Sequence, residues 1–162
     1  MRRVNSERIM ARSMQYERMS LLAILIYTVP AAVWDIRSRC VPVRYLLGGS
    51  LAAAAAVLMR IARRDLAWYA AVLSTMPGLM LLLISWGSDK KIGAADGILF
   101  FWAGPVLGMR STCILLTLSL LLACLCSILL LVTRRGSLKT QIPFLPFVAG
   151  GSLLQFLATL SG

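Results

Sequence analysis

The chain contains no histidine. That absence removes Ser-His-Asp triads, Cys-His nucleophile pairs and every zinc site that needs an imidazole. Acids are scarce too: six Asp and Glu stand against 17 Lys and Arg, a formal charge of +11. The four cysteines, Cys40, Cys113, Cys124 and Cys126, include no CxxC spacing, so neither a zinc ribbon nor a dithiol redox motif is supported. Cys113, Cys124 and Cys126 fall in an apolar run and read as small buried hydrophobes. There is no internal repeat and no low-complexity linker. Neither a metal nor a cofactor is expected, which leaves carboxylates as the groups able to do acid–base chemistry.

Apolar residues are what the chain has in excess. They make up 59% of it, and the mean hydropathy is +0.83. Soluble domains average roughly 45–50%. The apolar runs predict an all-α membrane protein with about six transmembrane helices, over residues 20–36, 45–59, 66–86, 92–107, 112–133 and 142–160. Each is long enough, or nearly so, to cross a hydrocarbon core of about 30 Å. Spans two and four are short, which suits the interface or a place among other helices. The alanine run 52–56 suits close helix packing. Residues 1–19 form a basic tail, read either as an interfacial helix or as sequence ahead of the true start, since Met10, Met14 and Met19 are alternative initiators. Residues 20–162 form one membrane domain. The basic residues sit in short loops and the tail, where they set topology and meet anionic lipid; nucleic acid is not an expected partner.

Of the six acids, Glu7 and Glu17 lie in the tail, and Asp65 and Asp89 stand beside basic residues as loop ion pairs. Asp35 and Asp96 differ, because each abuts an apolar helix end, where an acid is costly and marks a functional site by default. Spans two and three separate them, an even number of crossings, so both fall on one face. The loop before span six, with Pro143 and Pro146, returns to that face. Two carboxyls a few Å apart share a proton, so one can act as base on a water while the other donates to a substrate carbonyl. Gly93, Ala94, Ala95 and Gly97 are small enough to let span four approach span one, and Pro42 helps end the first helix. Each acid also has a simpler reading: Asp35 as an interfacial partner of Arg37 or Arg39, Asp96 as a first-turn acid favoured by the helix dipole. A Ser88–Lys90 site has no supporting context. Charge leaves the orientation tied, with eight basic residues on the dyad face and nine opposite, the latter falling to four if the chain starts at Met19.

Three segments carry a family resemblance. "WDIRSRCVPVRYLLGG" (34–49) is similar to the stretch holding the first catalytic Asp of type IV prepilin peptidases, "IGAADGILFFWAGPVLG" (92–108) to the GxGD stretch holding the second, and "IPFLPFVAGG" (142–151) to the Pro-Phe-x-Pro-Phe opening of the final helix. The chain thus resembles a short-form prepilin peptidase of the GxGD aspartyl protease class. The resemblance implies Asp35 and Asp96 as the catalytic pair. It makes Gly93 the first motif glycine and has Pro143, Phe144, Pro146 and Phe147 shape the site. It further implies a bacterial inner-membrane enzyme with the site near the cytoplasmic face, cutting a type IV prepilin or pseudopilin after a Gly. Membrane lipid is a partner, and the oligomeric state is left open, a homo-oligomer included. Two departures stand out. Ala95 replaces the second motif glycine, and Ile98 stands where many members carry a basic residue. The cysteine-rich loop of the bifunctional members has no counterpart, so cleavage is expected without N-methylation. The alternatives are an impaired or repurposed relative that binds or assembles pilins, a proton-coupled transporter, and a presenilin-like protease.

Overall fold

The computed structural model describes residues 2–38, 42–87, 94–133 and 143–161, with side chains from residue 14 onward except those of Val43 and Ala94. It is an all-α membrane protein. The helices are α1 (Arg2–Ser38), α2 (Val43–Ala62), α3 (Trp68–Ser74), α4 (Met76–Gly87), α5 (Ala94–Leu107), α6 (Met109–Val132) and α7 (Leu145–Ser161). Among the described residues four stretches are long and apolar enough to span a bilayer: Met14–Ser38, Arg44–Ala62, Trp68–Gly87 and Met109–Val132. Two apolar helices are shorter, Ala95–Leu107 and Leu145–Ser161.

The third span is a broken rod. Pro77 has no N–H to give the Leu73 carbonyl, and the chain passes from α3 to α4 through Thr75. The second span is longer than the sequence suggested, at 20 residues, because helix continues past Met59 through Arg60 to Ala62. Arg60 interrupts the apolar run without ending the helix. Pro42 is the N-cap of α2, and its carbonyl accepts from the Tyr45 and Leu46 amides at 2.9 and 3.3 Å.

The short α5 is the axis of the bundle. Leu99, Phe100, Ala103 and Leu107 from α5 join Leu21, Ile24, Ala31 and Ala32 from α1, Leu115 from α6, and Leu145 and Val148 from α7 in one buried cluster. A helix surrounded by others need not match the bilayer thickness by itself. The outer faces of α2, α4 and α6 expose Leu51, Leu58, Met80, Leu83, Leu129 and Val132, as expected where the solvent is lipid. The three described cysteines belong to that outer surface: Cys124 is exposed, and Cys113 and Cys126 are half-exposed, contrary to the expectation of burial. The peripheral position of α6 is the reason. Buried hydroxyls are satisfied inside their own helices, as with Thr28 to the Leu25 carbonyl, Ser74 to Ala70 and Ser119 to Leu115.

Small residues bring α5 against α3 and α4. A Cβ on Gly78 would collide with the Phe101 backbone, and one on Gly104 with the Ser74 carbonyl. Gly97 packs on Leu82, where a Cβ would lie 2.7 Å from Cγ. The expectation that the small residues around Asp96 face span one is therefore corrected for Gly97. It lets α5 reach α4, the helix that crosses the membrane immediately before it.

Candidate active site

Asp96 lies in the first turn of α5 and is 8% exposed. Its position in that turn matches the helix-dipole reading, yet such acids are ordinarily solvated. Burying one is expensive unless the surroundings use it. Phe100, four residues on and on the same face, is fully buried beneath it. Asp35 lies near the end of α1, half-buried, within electrostatic reach of Asp96. The two acids singled out from sequence thus lie near each other at one end of the bundle.

Asp35 is held by the start of α7. Its Oδ2 accepts the Leu145 backbone N–H at 3.3 Å, and the Phe144 amide also faces the carboxylate. The first N–H groups of a helix have no partner inside it, and an anion placed there is stabilised by the helix dipole. The proline pattern creates this geometry. Pro146 falls in the first turn of α7, where a missing N–H costs nothing. The Phe144 carbonyl takes the Phe147 amide at 2.9 Å, and the Phe144 ring leans on Phe100 with centroids 6.5 Å apart. Pro143 and Phe147 are half-buried around this turn. The simpler reading of Asp35 as a partner of Arg37 finds no ion pair among the described residues, and its other candidate, Arg39, lies outside them; the acid bonds to α7. Ala95 is half-buried beside Asp96, while Gly93 lies outside the described residues. No three Cys, Asp or Glu side chains gather as a metal set among the described residues.

An apolar groove of about 240 Å³ opens between α1, α2 and α5. Ile98 and Leu99, within a turn of Asp96 in sequence, line it from α5, and Gly49, Ala52, Ala53 and Ala56 line it from α2. The alanine run, expected to pack against a neighbouring helix, lines this open groove instead. Among the described residues no further helix fills that face. Ile98, noted as a departure from the resembled motif, is part of the apolar wall.

Sequence reasoning missed the clasp that holds α2 to α1. Tyr27 and Tyr45 stack with centroids 4.8 Å apart at 10°. The Tyr45 hydroxyl donates to the Tyr27 carbonyl at 2.6 Å, and the Tyr27 hydroxyl to the Tyr45 carbonyl at 3.3 Å. Trp34 meets Tyr45 edge-on. The signal was available, since a tyrosine inside an apolar span needs a partner for its hydroxyl. Tyr45→Phe removes the shorter bond. It is expected to lower stability by about 0.5–1.5 kcal/mol, read as a drop in the thermal midpoint of detergent-purified protein.

An all-α bundle with two membrane-edge carboxylates gathered at one end, one of them buried, defines a class: multi-pass membrane proteins with an acid pair and a lipid-facing groove. The chain is 33% identical over 127 residues to the prepilin leader peptidase/N-methyltransferase of Bacillus subtilis (strain 168). The match covers 78% of this chain, and the chain spans half, 50%, of that relative's length. This likeness supports the prepilin peptidase family in the broad sense. No family model and no solved structure matches the chain.

Proposed function

We propose that the protein is an aspartic endopeptidase of the bacterial inner membrane that removes the leader of a type IV prepilin or pseudopilin, with Asp35 and Asp96 as the catalytic pair. The observation that carries this reading is that two acids, 61 positions apart in the sequence, come within electrostatic reach of each other at one end of the bundle. In the proposed reaction one carboxylate takes a proton from water. The water oxygen attacks the scissile carbonyl while the other carboxyl donates a proton to the carbonyl oxygen. Collapse of the tetrahedral intermediate breaks the C–N bond, and the amine leaves with a proton returned from the pair. The α7 amides fix Asp35 in place, which is the preorganisation such chemistry requires. A glycine at the cut weakens the substrate helix there and opens its carbonyl to the acids. The substrate's apolar helix lies in the α1–α2–α5 groove, where alanines and Gly49 permit close approach. The site faces the cytoplasm in this reading, and N-methylation is not part of it.

The test is co-expression with a prepilin from the same genome and mass analysis of the pilin N-terminus. A mature, unmethylated pilin beginning just after the Gly supports the reading. Uncleaved pilin beside folded, membrane-inserted protein favours the alternative, a relative that binds or assembles pilins. The groove adds a second expectation. Ala53→Phe fills it without touching either acid, so processing falls about tenfold or more, as close packing of the substrate helix is lost. Unchanged processing by Ala53→Phe would move the substrate helix elsewhere.

A further inference from the structure

A second and larger cavity lies at the opposite end of the bundle. It measures about 1480 Å³ and lies between the N-terminal part of α1, the end of α2, the α5–α6 turn and the second half of α7. That exceeds the roughly 300–1,000 Å³ of ordinary small-molecule sites. Glu17 lines it, and Asp35 is 18 residues further along α1. At 1.5 Å per residue the two ends stand roughly 27 Å apart, close to the thickness of a hydrocarbon core. The cavity therefore sits at headgroup depth in the leaflet opposite the acid pair.

Its lining carries both signs of charge. Arg60, Arg63 and Arg110 share the lining with Asp65 and with Glu17, whose Oε1 accepts the Ser111 hydroxyl. The end of α2 is a turn in which Arg64 adopts φ 59° and the Asp65 amide bonds back to the Arg60 carbonyl, holding Arg63 and Asp65 at the rim. Arg60 is fixed by the Pro105 carbonyl at 3.3 Å and by the Tyr16 ring, 3.9 Å from its guanidinium carbon. Among the described residues no ion pair joins these arginines to Glu17 or Asp65, a correction to the loop pair expected at Asp65. Gln155 supplies the independent sign of a ligand. It is 5% exposed, it lines the cavity, and its amide donates to the Ser111 carbonyl at 3.1 Å, while its Oε1 has no partner. A buried acceptor without a donor is costly. Leu66, Ile114, Leu118 and Leu154 give the same cavity apolar walls.

We propose that this cavity binds an amine-bearing zwitterionic phospholipid: the phosphate lies among Arg60, Arg63 and Arg110, the ammonium N–H donates to Gln155 Oε1 beside Glu17, and the acyl chains follow the leucine walls. A choline headgroup has the charges but no N–H for Gln155. A glycerol headgroup has a hydroxyl donor but no cation for Glu17 and Asp65. The ethanolamine headgroup has both.

Native mass spectrometry of the full-length protein in detergent tests this, with added phosphatidylethanolamine, phosphatidylcholine and phosphatidylglycerol of identical chains, and with soluble glycerophosphoethanolamine. The wild type is expected to hold phosphatidylethanolamine about tenfold or more tightly than the other two lipids, and the soluble headgroup far less. Gln155→Leu and Arg63→Gln should each erase the preference. Arg63 has no bond to lose among the described residues, so that variant keeps the fold if Gln155→Leu does not. Equal binding of the three lipids, a preference for phosphatidylglycerol, equal binding of the soluble headgroup, or an unchanged preference in Arg63→Gln would each overturn the assignment.

Discussion

Asp35→Asn and Asp96→Asn should each cut prepilin processing by about 10²–10⁴-fold, the usual weight of a positioned acid or base, while the protein stays folded in the membrane. The two variants separate chemistry from architecture. An asparagine at position 35 keeps an oxygen that can accept the Leu145 amide, now held at 3.3 Å. Asp35→Ala does not, and leaves that helix terminus short of an acceptor at a cost of about 1–3 kcal/mol. The expected pattern is equal loss of processing in Asp35→Asn and Asp35→Ala, with a lower thermal midpoint only in the alanine variant. Asp96→Asn replaces a carboxyl that is 8% exposed with a neutral group of the same shape, so its stability should match or exceed the wild type. N-terminal mass analysis of co-expressed pilin reads the first quantity, and thermal unfolding in detergent the second. Processing that survives both Asn substitutions would remove the acids from the mechanism.

The second large effect is structural and lies far from the acids. Gly104→Ala should destabilise the bundle by several kcal/mol, beyond the roughly 1–3 kcal/mol of ordinary overpacking. The added methyl would meet the Ser74 carbonyl, a backbone atom that cannot turn aside. Gly78→Ala should behave alike against the Phe101 backbone, whereas Gly48→Ala meets nothing within 4 Å and should be neutral or mildly stabilising. Yield of monodisperse protein and thermal midpoint together check this. A Gly104→Ala protein as stable as the Gly48→Ala one would mean that α3 and α5 are not in the contact described.

The position of nearly every helix could be read from the chain, because bilayer thickness turns an apolar run into a helix with few alternatives. The break in the third span was also legible, since Pro77 removes a backbone donor, but a proline inside a long apolar run is easily passed over. Partners were less legible. Gly97 was expected to face α1 and faces Leu82 of α4. A small residue announces a close approach without saying to what. The same limit explains the alanine run, which lines a groove rather than a packed interface. For the candidate site, counting crossings was enough to place Asp35 and Asp96 on one face. It was not enough to find the Leu145 amide, which lies 110 residues from Asp35. The cavity around Gln155 was the least visible of all. Its parts come from α1, α2, α6 and α7, and each alone reads as an ordinary helix-end polar residue.

The bond from Leu145 to Asp35 also has a meaning in time. Ribosomes deliver α1 and α5 to the membrane well before α7, so for an interval both acids are in the bilayer and Asp35 lacks the amide that will hold it. Only when the segment from Pro143 onward has inserted does the pair acquire its finished surroundings. In the proposed reading, a nascent chain carries both acids before it carries the amide that holds Asp35, so the pair is completed only when synthesis has run past α6.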